Sequence, residues 1–122
     1  MLSLHLQNRM LETMSHGMEF TNATIHAEAN VYFDGRVISH TIILGSGERK
    51  TAGVILSGSY HFGTKQAERM EIIKGECEVV LDGGSESHSY GIGEAFDVES
   101  DSGFTISVTG EPCHYICSFL SA

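Results

Sequence analysis

The sequence predicts an all-β domain, a sandwich or barrel built of short strands. Three observations lead there. Apolar residues alternate with polar ones in short runs, and no convincing helical period appears after residue 30. The chain has 14 glycines and one proline, and the glycines punctuate the ends of those runs. A hydrophobic content of 41% over 122 residues is enough to bury one core without staples.

Residues 1–26 read as an N-terminal extension, weakly ordered or carrying a short helix. Leu4, Leu6, Met10, Leu11 and Met14 are partly helical in spacing, and SHG at 15–17 interrupts them. The domain itself spans 27–122. VYFDGRVISHTIIL runs from Val31 to a turn signal at 45–47, and a strand follows over 51–62. A polar loop at 63–67 leads to a strand over 69–74, which KGE turns into CEVVL. DGG at 82–84 is a hairpin signal. Beyond it, Phe96 and Val98 alternate with Asp97. The loop ESDSG precedes FTISV, in which Phe104, Ile106 and Val108 share a face. TGEP then turns the chain into HYICSFL, where Tyr115, Cys117 and Phe119 alternate.

Composition excludes several function classes. A formal charge of −9 disfavours nucleic acid and anionic membranes as partners. No run approaches the roughly 18 apolar residues of a spanning helix, and the first residues lack a secretory signal core. Cys77, Cys113 and Cys117 lack metal-site spacing and read as reduced thiols, which makes the cytoplasm the expected compartment.

The stretch from Gly53 to Gly75 organises the chain. Read with a period of two, Val54, Leu56, Gly58, Tyr60 and Phe62 fall on one face, with Ile55, Ser57, Ser59 and His61 on the other. After the loop, Glu68 alternates with Met70 and Ile72. A carboxylate on an apolar face is costly unless paired, so Glu68 marks the floor of a site. Its structural alternative is an acid held by backbone amides or by a basic neighbour.

This stretch resembles the first conserved cupin motif, with Tyr60 and Phe62 at the His-x-His positions, Glu68 as the acid and Gly75 as the closing glycine. The second motif begins at Gly93, and its metal-binding histidine falls near Phe104. The resemblance narrows with NVYFDGRV (30–37), AGVILSG (52–58), YHFGT (60–64), ERMEIIKGECEVVL (68–81), GEAFDV (93–98) and YICSFL (115–120). In this order the blocks are similar to those of the small pyrimidine/purine nucleoside phosphorylases. The resemblance implies a single-domain cupin barrel of the double-stranded β-helix type. It also implies phosphorolysis of a broad range of purine and pyrimidine ribonucleosides to free base and α-D-ribose 1-phosphate. Aromatic residues at three metal positions imply no metal and no cofactor, with phosphate as co-substrate. Glu99 in place of the family's usual proline, and the absence of a tryptophan around His88, are departures in loops.

The residue types suit that chemistry. An oxocarbenium-like sugar needs a nearby negative charge, which Glu68 would supply, or Glu68 would accept hydrogen bonds from ribose hydroxyls. Tyr60 and Phe62 would stack on the base or wall the ribose, with core packing as their alternative. Met70 and Phe104 complete the expected substrate-binding set. Phosphate needs a cation or a turn of amides, and only 7 Lys and Arg exist. Arg49 and Lys65 lead that short list, ahead of Lys50; Arg69 points away from Glu68 by parity. His40, His61, His88 and His114 show no ligand spacing. Cys113, beside Pro112, reads as a loop thiol that nothing activates.

The expected function is therefore a broad-specificity nucleoside phosphorylase. Its alternatives are a non-catalytic cupin that binds a sugar or nucleoside, and an interaction module that uses its sheet face to dimerise. A homodimer that covers an exposed sheet face is the expected assembly.

Overall fold

The computed structural model describes residues 19–120. The short helix considered for the first residues lies outside them. Among the described residues the chain is a nearly all-β, cupin-like pair of antiparallel sheets with 11 strands and one 3₁₀ turn. In order these are β1 (Thr24–Ile25), β2 (Asn30–Tyr32), β3 (Val37–Ile43), β4 (Arg49–Ile55), β5 (Gly58–Gly63), β6 (Glu68–Lys74), β7 (Cys77–Leu81), β8 (His88–Tyr90), β9 (Ala95–Val98), β10 (Gly103–Val108) and β11 (Cys113–Phe119). The larger sheet has the order β1-β3-β4-β11-β6-β9, with β2 also on β3, and the smaller sheet has the order β5-β10-β7-β8. From β4 to β7 the chain changes sheet at every connection, which sets the apolar sides of the two sheets against a shared core. Val37, Ile55, Ile72, Val79, Phe104 and Ile106 are among the residues that fill it.

Two expected strands are divided. The run from Val31 breaks at Phe33–Gly35, a 3₁₀ turn, so that β2 folds back on β3 as a hairpin. Asp34-Gly35 is the residue pair that favours such a turn, because both take positive φ, 56° and 91°. The run over 51–62 breaks at Leu56–Ser57, where the chain leaves the larger sheet for the smaller. That corner reverses the parity expected before it. Ile55 is fully buried, whereas Leu56 is 42% exposed and its amide donates to the Arg36 carbonyl at 2.9 Å. Beyond the corner Tyr60 and Phe62 face inward as the alternation predicted.

The position of Cys113 also differs from the loop expected. The residue opens β11, fully buried in the core. The hydrogen bond with the neighbouring Cys113 thiol, and then burial, push the Cys77 thiol well above the ordinary thiol range.

Strand register fixes what the larger sheet presents to the interior. Paired residues share a face, so successive inward rows read across the sheet. One row contains Arg49, Ile43, Phe119, Glu68 and Val98; the next holds Thr41, Thr51, Cys117, Met70 and Phe96. A third holds Ser39, Gly53, Tyr115 and Ile72, and a fourth Tyr32, Val37, Ile55 and Cys113. Arg69 and Asp97 lie on the opposite face and pair at 2.8 Å.

Candidate active site

Where those inward rows face Phe62 and Phe104 of the smaller sheet, the core opens into a cavity of about 250 Å³. It is lined by Tyr32, Ser39, Arg49, Thr51, Ile55, Phe62, Gly63, Glu68, Met70, Phe104, Tyr115, Cys117 and Phe119. Of these, Glu68 is the one acid and Arg49 the one base. Among the residues expected from sequence, Glu68, Phe62, Met70, Phe104 and Arg49 come together here. Tyr60 and Lys65 do not line it.

Glu68 begins β6 directly after the loop at 63–67, and that loop is tied on both sides. The Thr64 hydroxyl donates to the Glu99 carbonyl at 2.6 Å and accepts from the Ser102 amide at 3.0 Å. The Leu120 amide donates to the Ala67 carbonyl at 2.8 Å, one residue before Glu68. These bonds set the strand start, and strand geometry turns the carboxylate inward between the apolar neighbours Phe119 and Val98. Its pKa is raised above the ordinary glutamate value, first because burial disfavours the charged form. Two interactions oppose that rise. The Cys117 thiol donates to Oε1 at 3.5 Å, and the Arg49 charge favours the anion.

Cys117 is buried beside this carboxylate, and its own pKa is raised, by burial first and then by the Glu68 charge. It is a proton donor at neutral pH and a poor nucleophile. Arg49 reaches the cavity from the start of β4, with its guanidinium carbon 4.4 Å from the centre of the Phe119 ring. Stacking on an aromatic face holds a guanidinium in place and leaves its N–H edge free for an anion.

Tyr115 supplies a phenol to the same cavity because Gly53 lies opposite it. A Cβ at position 53 would stand 2.7 Å from both Cζ and Oη of Tyr115, and 2.8 Å from the Ile38 carbonyl oxygen. Burial raises the Tyr115 pKa, so the phenol stays protonated. Ser39 lies beside it, and the Asn30 amide donates to the Ser39 and Thr41 hydroxyls at 3.2 Å each. Hydroxyls from Ser39, Thr51 and Tyr115 thus share the cavity with Glu68.

The aromatic wall is a chain of rings. Phe62 stacks on Phe104 at 5.7 Å, and Phe104 meets Phe96 edge to face at 5.4 Å. Tyr60 stands behind this wall. Its hydroxyl donates to the carbonyls of Leu56 and Ser57 at 2.9 and 3.0 Å, which pins the corner between the sheets. Lys65 is exposed on the loop, where its carbonyl accepts from the Asp101 amide at 3.2 Å.

Tyr32, Ser39, Thr51, Tyr115, Cys117 and Phe119 also line the cavity, beyond the residues expected from sequence. The alternation of Tyr115, Cys117 and Phe119 was visible, but alternation alone does not separate core from cavity wall. Among the described residues no group of three or more His, Cys, Asp and Glu side chains is placed to hold a metal. His61 is engaged with Asp82 at 2.9 Å, and the His40 ring nitrogen lies 3.1 Å from the His26 carbonyl. No described helix is long and apolar enough to cross a membrane.

The family model of pyrimidine/purine nucleoside phosphorylase matches residues 27–119. A pyrimidine/purine nucleoside phosphorylase from Burkholderia ambifaria (strain MC40-6) is 48% identical over 107 residues, 88% of this chain and 100% of the relative. One from Leptothrix cholodnii (strain ATCC 51168 / LMG 8142 / SP-6) is 50% identical over 97 residues, 80% of this chain and 93% of the relative. Among solved structures, a protein of unknown function from Acinetobacter sp. ADP1 superposes with a TM-score of 0.81 at 39% identity. That superposition covers 84% of this chain and 98% of the other.

Proposed function

The chain belongs to the pyrimidine/purine nucleoside phosphorylase family, and on that premise we propose that this cavity cleaves purine and pyrimidine ribonucleosides with phosphate. The products are free base and α-D-ribose 1-phosphate, a pentosyl transfer. The observation that carries this reading is the placement of one carboxylate, Glu68 on β6, and one guanidinium, Arg49 on β4, on the two strands that flank β11, in a cavity otherwise lined mainly by hydroxyls, sulfur and aromatic rings. Cleavage of the glycosidic bond builds positive charge on the sugar, and a partly desolvated carboxylate stabilises it strongly. Phosphate carries the opposite charge and is met by the Arg49 fork.

Ribose hydroxyls both donate and accept. Glu68 accepts from them, while Tyr115 donates. Phe62 and Phe104 wall the sugar and exclude water, Met70 fills the floor with an adaptable side chain, and Tyr60 supports the wall from behind. Lys65 meets incoming phosphate from the loop, outside the cavity. No metal and no cofactor enter this mechanism, and turnover is expected to survive exhaustive chelation.

Two further parts of the reading concern the assembly and its setting. Val31 and Ile38 are paired in register on the outer face of the larger sheet and are 59% and 40% exposed, which supports a homodimer closed over that face. The three described cysteines are free thiols, which supports the cytoplasm as compartment. Light scattering on purified protein tests the dimer.

The function is tested by incubating a panel of purine and pyrimidine nucleosides with and without phosphate and measuring free base. Base released only with phosphate, from both classes, is the expected result. Saturable nucleoside binding without release would replace the phosphorylase with a binding protein.

A further inference from the structure

The groups that line the cavity leave the nucleobase without a place. At about 250 Å³ the cavity is smaller than the roughly 300–1,000 Å³ typical of small-molecule sites. That leaves little enclosed room for a whole nucleoside together with phosphate. The carboxylate, the guanidinium and the hydroxyls suit the phosphate and the sugar, so the flat, apolar faces of the base remain for the mouth.

The rings that stand there belong to β2 and the turn after it. Tyr32 lines the cavity and is 44% exposed. Its ring meets Phe62 edge to face, with centroids 5.8 Å apart and planes at 83°. Phe33 meets Phe62 at 5.4 Å and leans on Tyr60 at 5.0 Å. The backbone that presents these rings is strained, because Phe33 and Asp34 both take left-handed conformations, with φ of 53° and 56°. Positive φ at a bulky residue is rare, and such strain concentrates at ligand sites where the surroundings hold it in place. Contact of Phe33 with Phe62 and Tyr60 does so here, beside the half-exposed Tyr32.

Register adds a direction. Tyr32 pairs with Val37 and Arg49 with Ile43, six residues apart along β3. At about 3.3 Å per residue that separation is about 20 Å, so the two side chains approach the cavity from opposite ends. Formation of an α-phosphate from a β-nucleoside needs the nucleophile on the sugar face opposite the departing base. In that reaction the new C–O bond to phosphate forms as the C–N bond breaks, and the base leaves with the electron pair and takes up a proton. Glu68 shares the inward row of Arg49, so with phosphate and ribose held at that end the base extends along the cavity towards Tyr32.

We propose that Tyr32, set nearly perpendicular to Phe62, is the nucleobase subsite, and that it reads the base by stacking on its face. This rests on the phosphorolysis reading for its orientation. A π-face is common to every base, so a stacking platform accepts purines and pyrimidines alike. It also makes stacking strength the main source of discrimination.

The test compares the parent with Tyr32→Ala and Tyr32→Phe, using calorimetry with uridine, inosine, uracil, hypoxanthine and ribose 1-phosphate, alongside kinetics. Stacking on one aromatic ring is worth about 1–3 kcal/mol, or roughly 5- to 150-fold. Tyr32→Ala is expected to weaken nucleoside and free-base binding within that range, to raise the nucleoside KM more than it lowers kcat, and to leave ribose 1-phosphate affinity and the phosphate KM near parental. Tyr32→Phe keeps the ring and is expected to behave as the parent. Parental base affinity in Tyr32→Ala overturns the proposal, and so does equal weakening for base and ribose 1-phosphate, which marks a structural role. If the parent binds nucleosides but releases no base, phosphorolysis falls and the affinity comparison still decides the subsite. If it binds neither nucleoside nor base, the subsite falls as well.

Discussion

The Cys117 thiol donates to Oε1 of Glu68 at 3.5 Å, across the pairing of β11 with β6. The cavity therefore contains a carboxylate whose charge is opposed by burial and sustained by a sulfhydryl and a guanidinium. How easily Glu68 ionises depends on that balance.

The balance sets a pH dependence. If turnover needs ionised Glu68, the acid limb of the kcat/KM profile lies above the ordinary glutamate value of 4.5, because burial raises the pKa. Cys117→Val keeps the volume and the dryness but removes the donor, so the limb is expected to move to higher pH. Cys117→Ser keeps a donor and is expected to leave the limb near the parent's or below it. A limb that stays put in Cys117→Val would show that the thiol does not tune Glu68.

Glu68→Gln is expected to fold and to lose turnover by a factor on the order of 100 to 1,000. Its stability should move the other way. The folded-state pKa of Glu68 is raised, so the folded state binds a proton more tightly than the unfolded one, and ionisation costs stability as pH rises through that pKa. Glutamine carries no such cost. The melting temperature of Glu68→Gln should equal or exceed the parent's at pH 7, with the gap closing as pH falls below 4.5. A folded variant with a rate within a factor of about three of the parent would remove Glu68 from the mechanism.

Arg49 separates the two substrates. Arg49→Ala should raise the phosphate KM by at least about tenfold, the loss of one charge-assisted pair, with a smaller change in nucleoside KM. Arg49→Lys should recover only part of it, since an ammonium can neither form the fork nor lie flat on Phe119. Steady-state kinetics with each substrate varied in turn decide this, and an unchanged phosphate KM would move the phosphate site elsewhere.

Gly53 carries a structural prediction with a functional consequence. A methyl group at this position would meet Tyr115 Cζ and Oη at 2.7 Å and the Ile38 carbonyl oxygen at 2.8 Å. Two of those atoms belong to a buried ring and one to backbone, so nothing yields cheaply. Gly53→Ala should cost about 1–3 kcal/mol and lower the melting temperature accordingly, while displacing Tyr115 from the cavity. A variant that melts with the parent would show that the two strands can part at little cost.

By itself the sequence determined most of the strands and most of their faces. Two-residue alternation needs no knowledge of neighbours, and it put Phe62, Glu68, Met70, Phe104, Tyr115 and Cys117 on inward faces from local spacing alone. The blocks around Glu68 also carried the family. What lay beyond local spacing was decided by tertiary structure. The corner at Leu56–Ser57 changes sheets, and with that change parity passed from Leu56 to Ile55 and Tyr60 became a support instead of a wall. Whether an inward residue packs or lines a cavity depends on the side chain facing it from the other sheet, so Tyr115, Cys117 and Phe119 read as core until register set them beside Glu68. Arg49 and Lys65 were equal candidates because a cation's reach depends on where its strand begins in space. The left-handed turn at Phe33 and Asp34 had no residue-level signal beyond Asp34-Gly35, because contact with Tyr60 and Phe62, distant in sequence, holds the strain.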